Sequence, residues 1–172
     1  MATSSYEFHT VHIQSNEEDA NNFVGRLIYP LKDIVQVSVL MADMNTFNMT
    51  SKTPDLYLSI EELQSQFNQI AGNVQSNVIG LPYNLASIKN PLAVFPVNIP
   101  IGGERTRYLQ NDYSTQTQFI TPIRKLERLT CKIYDINGNL ATLNDHTLLS
   151  LRFTCLRTNL IPDIKKNNTI NK

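Results

Sequence analysis

The sequence predicts an all-β fold, in the form of an antiparallel sandwich or barrel of about eight short strands. Apolar and polar residues alternate with a period of two in several stretches of the chain, which is the pattern of a half-buried strand. Turn residues and prolines separate these stretches, and one stretch alone shows the spacing of a helix. Many short strands without alternating helices are typical of sandwiches and barrels.

The clearest alternation lies in residues 126–156. Leu129, Cys131 and Ile133 share one face of the first strand predicted there. The second strand repeats the pattern at four positions: Leu149, Leu151, Phe153 and Cys155. Residues 137–138, between the strands, are Asn-Gly, which is typical of a two-residue turn because both residues tolerate positive φ. The sequence therefore predicts that the two strands pair as a β-hairpin.

Six further strands are predicted upstream of this hairpin: residues 6–13, 23–29, 34–42, 56–60, 92–97 and 116–120. We expect Pro30 to end the second of these strands, because proline has no N–H for a sheet ladder. Three prolines between positions 91 and 100 limit the strand at 92–97 to the edge of a sheet.

A helical spacing begins at Ile60, with further apolar residues at positions 63, 67 and 70. Ser59 and Glu62 match the capping box that often begins a helix. The carboxylates of Glu61 and Glu62 would then lie at the positive end of the helix dipole. The sequence predicts a short helix of about three turns, ending near Gly72 within a long connecting loop.

The chain of 172 residues fits one domain. Residues 1–5 are predicted to be a flexible arm, 6–158 the β domain, and 159–172 a polar tail. The 15 basic and 15 acidic residues give a formal net charge of zero, which argues against a dedicated nucleic-acid binder. We expect no secretory signal, since a basic start followed by an apolar core is missing, and no membrane span.

The two cysteines, Cys131 and Cys155, both lie on apolar strand faces. Pairing through the predicted hairpin would offset them along the ladder, so that a disulfide between them is disfavoured. We interpret both as buried free thiols of a reducing compartment.

Residues that commonly carry catalysis do not form a recognisable constellation. His9 and His12 are three positions apart on a strand and therefore face opposite sides. His146 is interpreted as a structural residue that makes a hydrogen bond at a strand edge. Residues 135–139, DINGN, resemble a calcium loop, but the glycine comes too early and position twelve is a histidine rather than glutamate. We expect no enzyme activity and no catalytic, cofactor-binding or metal-binding residues.

Polar residues on the outward strand faces are interpreted as the ordinary solvated face of a sandwich: Gln36, Ser38, Lys132, Tyr134, Arg152 and Thr154. A carbohydrate site would need an exposed aromatic residue near Asp and Asn side chains. Tyr108, Asn111, Asp112 and Tyr113 offer that combination, although ordinary loop residues are the preferred interpretation.

Three segments resemble small capsid proteins of large double-stranded DNA viruses and their virophages. Residues 28–49, which begin IYPL and continue through ADMNTFNM, are similar to a Tyr-Pro-Leu motif and the strand that follows it in that family. Residues 56–63, LYLSIEEL, resemble its Ile-Asp-Glu-Leu segment. Residues 122–151 resemble its C-terminal strand pair with an Asp-x-x-Gly-Asn turn. Asn45 stands where the family pattern has proline.

The resemblance implies a single jelly roll that serves as a capsid structural protein in the virion. A penton (vertex) protein would form a homo-pentamer and contact the major capsid protein. The alternatives are a minor or cement capsid protein on the major capsid lattice, or a glycan- or receptor-binding sandwich module. A metal-dependent enzyme of the cupin type would need histidines clustered on one face, which the three histidines do not offer.

Overall fold

The computed structural model describes residues 5–47, 55–64, 91–97, 105–109 and 116–157. These residues form seven strands: β1 (Ser5–Gln14), β2 (Asn22–Asn45), β3 (Asp55–Ile60), β4 (Ala93–Pro96), β5 (Arg105–Leu109), β6 (Gln116–Tyr134) and β7 (Asn144–Arg157). Every strand pair is antiparallel, and the order is β1-β7-β2-β6-β3-β4, with β5 also paired to β2. The prediction of an all-β antiparallel fold is confirmed.

The sheet curls so that its two halves face each other, because β2 and β6 are long enough to take part in both. We call β1, β7, β5, the second half of β2 and the start of β6 the first layer. We call the first half of β2, the second half of β6, β3 and β4 the second layer. The curl gives a sandwich-like arrangement in which each layer has an inward face.

The core lies between the two layers. From the second layer, Leu129, Cys131 and Ile133 point inward and are fully buried. From the first layer, β7 contributes four fully buried side chains to the same cluster: Leu149, Leu151, Phe153 and Cys155. The alternation in residues 126–156 therefore predicted the buried faces of both strands correctly.

The predicted pairing of these two strands is wrong. β6 pairs with β2 and β3, whereas β7 pairs with β1 and β2. A turn does form at Gly138, which has φ of 80°, but the returning chain makes a single bridge, Tyr134 to Leu140, before it crosses to the other layer. The physical reason is that the two apolar faces bury each other across the core, which side-by-side strands cannot do.

β2 does not end at Pro30, as predicted, but continues to Asn45. Residues 27–30 lie in a register shift between the Arg26–Arg128 and Leu31–Leu126 pairs, so no ladder hydrogen bond is lost at the proline. β6 likewise continues through Pro122, between the Gln118 and Ile123 pairs. The strands predicted at 23–29 and 34–42 are thus one long strand, β2, and the strand predicted at 116–120 is continuous with the first strand of the predicted hairpin in β6.

The predicted helix does not begin as an α-helix. Glu61–Leu63 form one 3-10 turn directly after β3. Its N-cap residue is Ile60, which makes no side-chain capping hydrogen bond, and the backbone is extended again at Gln64. Ser59 remains in β3, so the capping box is absent. The rest of the predicted helix, residues 65–72, lies outside the described residues. The described part of the chain contains no helix that could cross a membrane.

β4 confirms the prediction of a short strand near 92–97, at the end of the strand order. β5 was not among the predicted strands. The predicted arm and the polar tail beyond 157 lie outside the described residues, apart from Ser5, which begins β1.

Candidate functional site

The outward face of the first layer carries two rows of side chains across four strands. The pairing register aligns Phe8 of β1 with Thr154 of β7, then with Gln36 of β2 and Gln118 of β6. The next row aligns four residues in the same strand order: Thr10, Arg152, Ser38 and Gln116. Because side chains alternate across a strand, residues two apart lie on one face, and both rows belong to it.

An open groove of about 480 Å³ lies over these rows, and we call it the outer-face groove. Arg152, Gln36 and Gln118 line it, together with the aromatic residues Tyr6 and Phe8. Tyr6 is 54% exposed and Phe8 is 68% exposed. Both rings are therefore accessible to a ligand in the groove.

Hydrogen bonds orient the amide groups within the groove. Gln36 Nε2 donates to Gln116 Oε1 at 3.0 Å and lies 3.5 Å from Ser38 Oγ. Arg152 differs, since no described carboxylate lies within ion-pair distance of its guanidinium. The groove therefore combines an unpaired cation, oriented amides and exposed aromatic rings.

Sequence reasoning placed Gln36, Ser38, Arg152 and Thr154 on solvated faces but did not group them. A signal was present in β1, where two aromatic residues occupy alternate positions on its outward face. The two rings could be assigned to a groove only once the strands beside β1 were known. The hairpin prediction had paired β7 with β6 instead of with β1 and β2.

A second polar cluster lies where β2, β5 and β7 meet at one end of the first layer. Asp43 accepts hydrogen bonds from Arg105 Nε at 2.8 Å and from Arg107 at 3.0 Å. Arg105 also donates to Asp145 at 3.1 Å and to the carbonyl oxygen of His146. Burial alone would raise the pKa of Asp43, but the two arginines outweigh it and hold that pKa below its usual value.

His146 adjoins this cluster and is the centre of the one group of potential metal ligands among the described residues. Its Nε2 atom lies 3.6 Å from a carboxylate oxygen of Glu17 and 3.4 Å from one of Asp145. Its Nδ1 donates to the carbonyl oxygen of Ser15 at 3.2 Å. Arg105 links this group to β5, because it donates hydrogen bonds to Asp145 and to the carbonyl oxygen of His146.

The other two histidines make separate contacts. His9 Nε2 lies 3.1 Å from Glu7 Oε1, and His12 Nδ1 lies 2.8 Å from Ser150 Oγ. The structure therefore does not bring His9, His12 and His146 together.

The alternative prediction of a carbohydrate site at Tyr108, Asn111, Asp112 and Tyr113 is wrong for Tyr108, the one member of the set that the structure describes. Tyr108 is buried and packs on Phe95, with ring centroids 5.0 Å apart. Its ring is therefore part of the core and is not exposed to a ligand. Residues 111–113 lie outside the described residues.

The two cysteines are buried free thiols, as predicted. Burial raises the pKa of Cys131 to about 12 and that of Cys155 to about 11. A thiol attacks as thiolate, so neither residue is suited to nucleophilic chemistry at neutral pH.

No protein-family model matches this chain, and no curated protein matches it either.

Proposed function

We propose that this protein is a structural protein of a viral capsid, built on a single jelly roll and assembled as a homo-pentamer at the vertices. The observation that carries the proposal is the pairing order of the two layers. A jelly roll has eight strands in two facing sheets, formed from two Greek keys. β2, which turns from one layer to the other, takes the place of two of those strands.

Counting the two halves of β2 as strands 2 and 3 makes β3 to β7 strands 4 to 8. In this numbering the first layer has the order 1-8-3-6, which is β1, β7, the second half of β2 and β5. The second layer has the order 2-7-4-5, which is the first half of β2, β6, β3 and β4. These are the orders expected for an eight-stranded jelly roll. The segment that resembles the capsid family, IYPL at residues 28–31, falls where β2 leaves its register with β6. The segment that resembles the family motif thus lies at the first bulge of β2.

The register shifts on β2 and β6 also leave large apolar side chains exposed. Ile28 is 88% exposed, Tyr29 is 82% exposed and Ile120 is 81% exposed. Ile28 and Tyr29 lie in the residue 27–30 bulge of β2, and Ile120 lies between the paired residues Gln118 and Ile123 of β6. Exposed large apolar side chains mark protein–protein contacts, and a shell protein needs such contacts with its neighbours.

Sedimentation equilibrium of the purified protein over a range of concentrations tests the proposal. We expect a species of five times the 19.5 kDa chain mass. The double variant Ile28→Ser with Tyr29→Ser should shift the equilibrium towards monomers, whereas Leu140→Ser, at an exposed residue of the turn after β6, should not. A strict monomer at high concentration would overturn the pentamer, and one that binds a capsid lattice would indicate the minor capsid alternative.

A further inference from the structure

We propose that the outer-face groove binds a carboxylated saccharide, with Arg152 holding the carboxylate and the aromatic residues of β1 packing on the sugar ring. This inference does not depend on the capsid role, because it concerns the side chains of one sheet face in a single chain. It also moves the carbohydrate hypothesis from Tyr108, which is buried, to residues that are accessible.

Arg152 provides the reason for a negatively charged ligand. It lies in the row between Thr10 and Ser38, and no described carboxylate pairs with it. Glu7 is adjacent to Phe8 in β1, so its side chain lies on the opposite face of the strand from the groove, where it contacts His9. A planar guanidinium binds a carboxylate through two parallel hydrogen bonds, which gives both energy and orientation.

The groups around Arg152 match the remaining parts of a sugar. Tyr6 and Phe8 present exposed rings, on which the C–H face of a pyranose can pack. Gln36, Gln118 and Thr154 offer amide and hydroxyl groups that hydrogen-bond to sugar hydroxyls. A volume of about 480 Å³ is within the range of small-ligand sites.

A peptide and a nucleic acid fit this face less well. Peptides that bind sheets usually pair with main-chain groups at a sheet edge, whereas the side chains that line the groove stand on the face of β1, β7, β2 and β6. A nucleic acid is held by several cations that neutralise successive phosphates, and among the described residues Arg152 is the one cation that lines the groove. The groove therefore favours a small ligand that side chains bind and whose negative charge lies at Arg152.

Titration calorimetry with 3′-sialyllactose, and with lactose as the neutral control, tests this proposal. We expect saturable binding of the acidic sugar and none of lactose. Arg152→Gln should weaken binding by about tenfold or more, as expected for loss of a charged hydrogen-bond pair. Phe8→Ser should also weaken it. Glucuronic acid shows whether a simpler sugar acid carries the same recognition.

Arg26→Gln is the matched control, since it removes an exposed arginine from a strand of the second layer and should leave binding unchanged. Thermal unfolding of Arg152→Gln should match that of the unmodified protein, because Arg152 is exposed and its guanidinium makes no hydrogen bond or ion pair with the described residues. Equal binding of lactose, unchanged binding by Arg152→Gln, or no binding of any sugar acid at millimolar concentration would overturn the proposal. Binding of an acidic peptide in place of the sugars would also overturn it.

Discussion

Ile13 of β1 and Gly25 of β2 touch across the core. A Cβ atom on Gly25 would lie 2.8 Å from Cγ2 of Ile13, which is closer than two carbon atoms can approach. β1 and the first half of β2 are not paired with each other, so this contact is made between the two layers. Glycine at position 25 is thus what allows the layers to close here.

Replacing Gly25 by alanine should destabilise the fold, because the new methyl group overpacks against Ile13. We expect a loss of about 1–3 kcal/mol in the free energy of unfolding, measured by denaturant titration. Ile13→Ala alone should cost about 2–5 kcal/mol through the cavity it leaves. The double variant should cost clearly less than the sum of the two, since each change relieves the other. Additive losses would show that the two side chains do not meet.

Glu62 is predicted to stabilise the second layer through β6. Its carboxylate accepts hydrogen bonds from the Thr130 N–H at 2.7 Å, from the Thr130 hydroxyl at 2.8 Å and from Arg128 Nε at 3.0 Å. Glu62→Gln should cost about 1.5–3 kcal/mol, as expected for hydrogen bonds to a charged group. Glu61→Gln, which removes an exposed pair with Lys132, is the control and should cost under about 1 kcal/mol.

The pH dependence of stability should report the same contact. Burial would raise the pKa of Glu62, but the hydrogen bonds from Thr130 and Arg128 outweigh it and lower that pKa. The stabilisation is therefore present above the pKa of the unfolded chain and is lost as the pH falls through the folded pKa. Glu62→Gln should flatten this acidic part of the profile. An unchanged profile in the variant would contradict the assignment.

Asp43 should control how firmly β5 is attached. Asp43→Asn removes the charge that holds Arg105 and Arg107, and we expect about 1.5–3 kcal/mol of local stability to be lost. Hydrogen exchange of the Arg105–Leu109 amides measures it, because β5 is a short strand whose described pairing is with β2 alone. Amides of β1 serve as the internal control. Equal acceleration in both strands would indicate global unfolding instead.

Cys131 and Cys155 should resist alkylation at pH 8 in the native protein, because burial raises both thiol pKa values to about 12 and about 11. Both should react with iodoacetamide once the chain is unfolded in guanidinium chloride, where two thiols per chain are expected. Rapid reaction of either residue in the native state would show that its strand opens to solvent.

Most of the fold could be predicted from alternation, because alternation reports which face of a strand is buried. It assigned Leu129, Cys131 and Ile133 to the core correctly. It could not assign neighbours, since the hydrogen-bond partner of a strand depends on the whole topology. The Asn137-Gly138 turn therefore suggested a hairpin, while β6 and β7 in fact belong to opposite layers.

The candidate site was less predictable for the same reason. Phe8, Gln36 and Arg152 lie on three strands that are far apart in the sequence, and their outward direction alone did not bring them together. Glu62 was assigned to a helix N-terminus because its spacing matched a capping box. The structure places it instead beneath β6, where the N–H of Thr130 takes the role that the helix amides were expected to play.

Negative-stain electron microscopy of the purified protein tests the proposal that this chain assembles into a capsid shell. We expect ring-shaped particles with fivefold symmetry in class averages, and we expect them to disperse in the Ile28→Ser and Tyr29→Ser double variant. Particles of single-chain size alone, at concentrations where capsid proteins assemble, would contradict it.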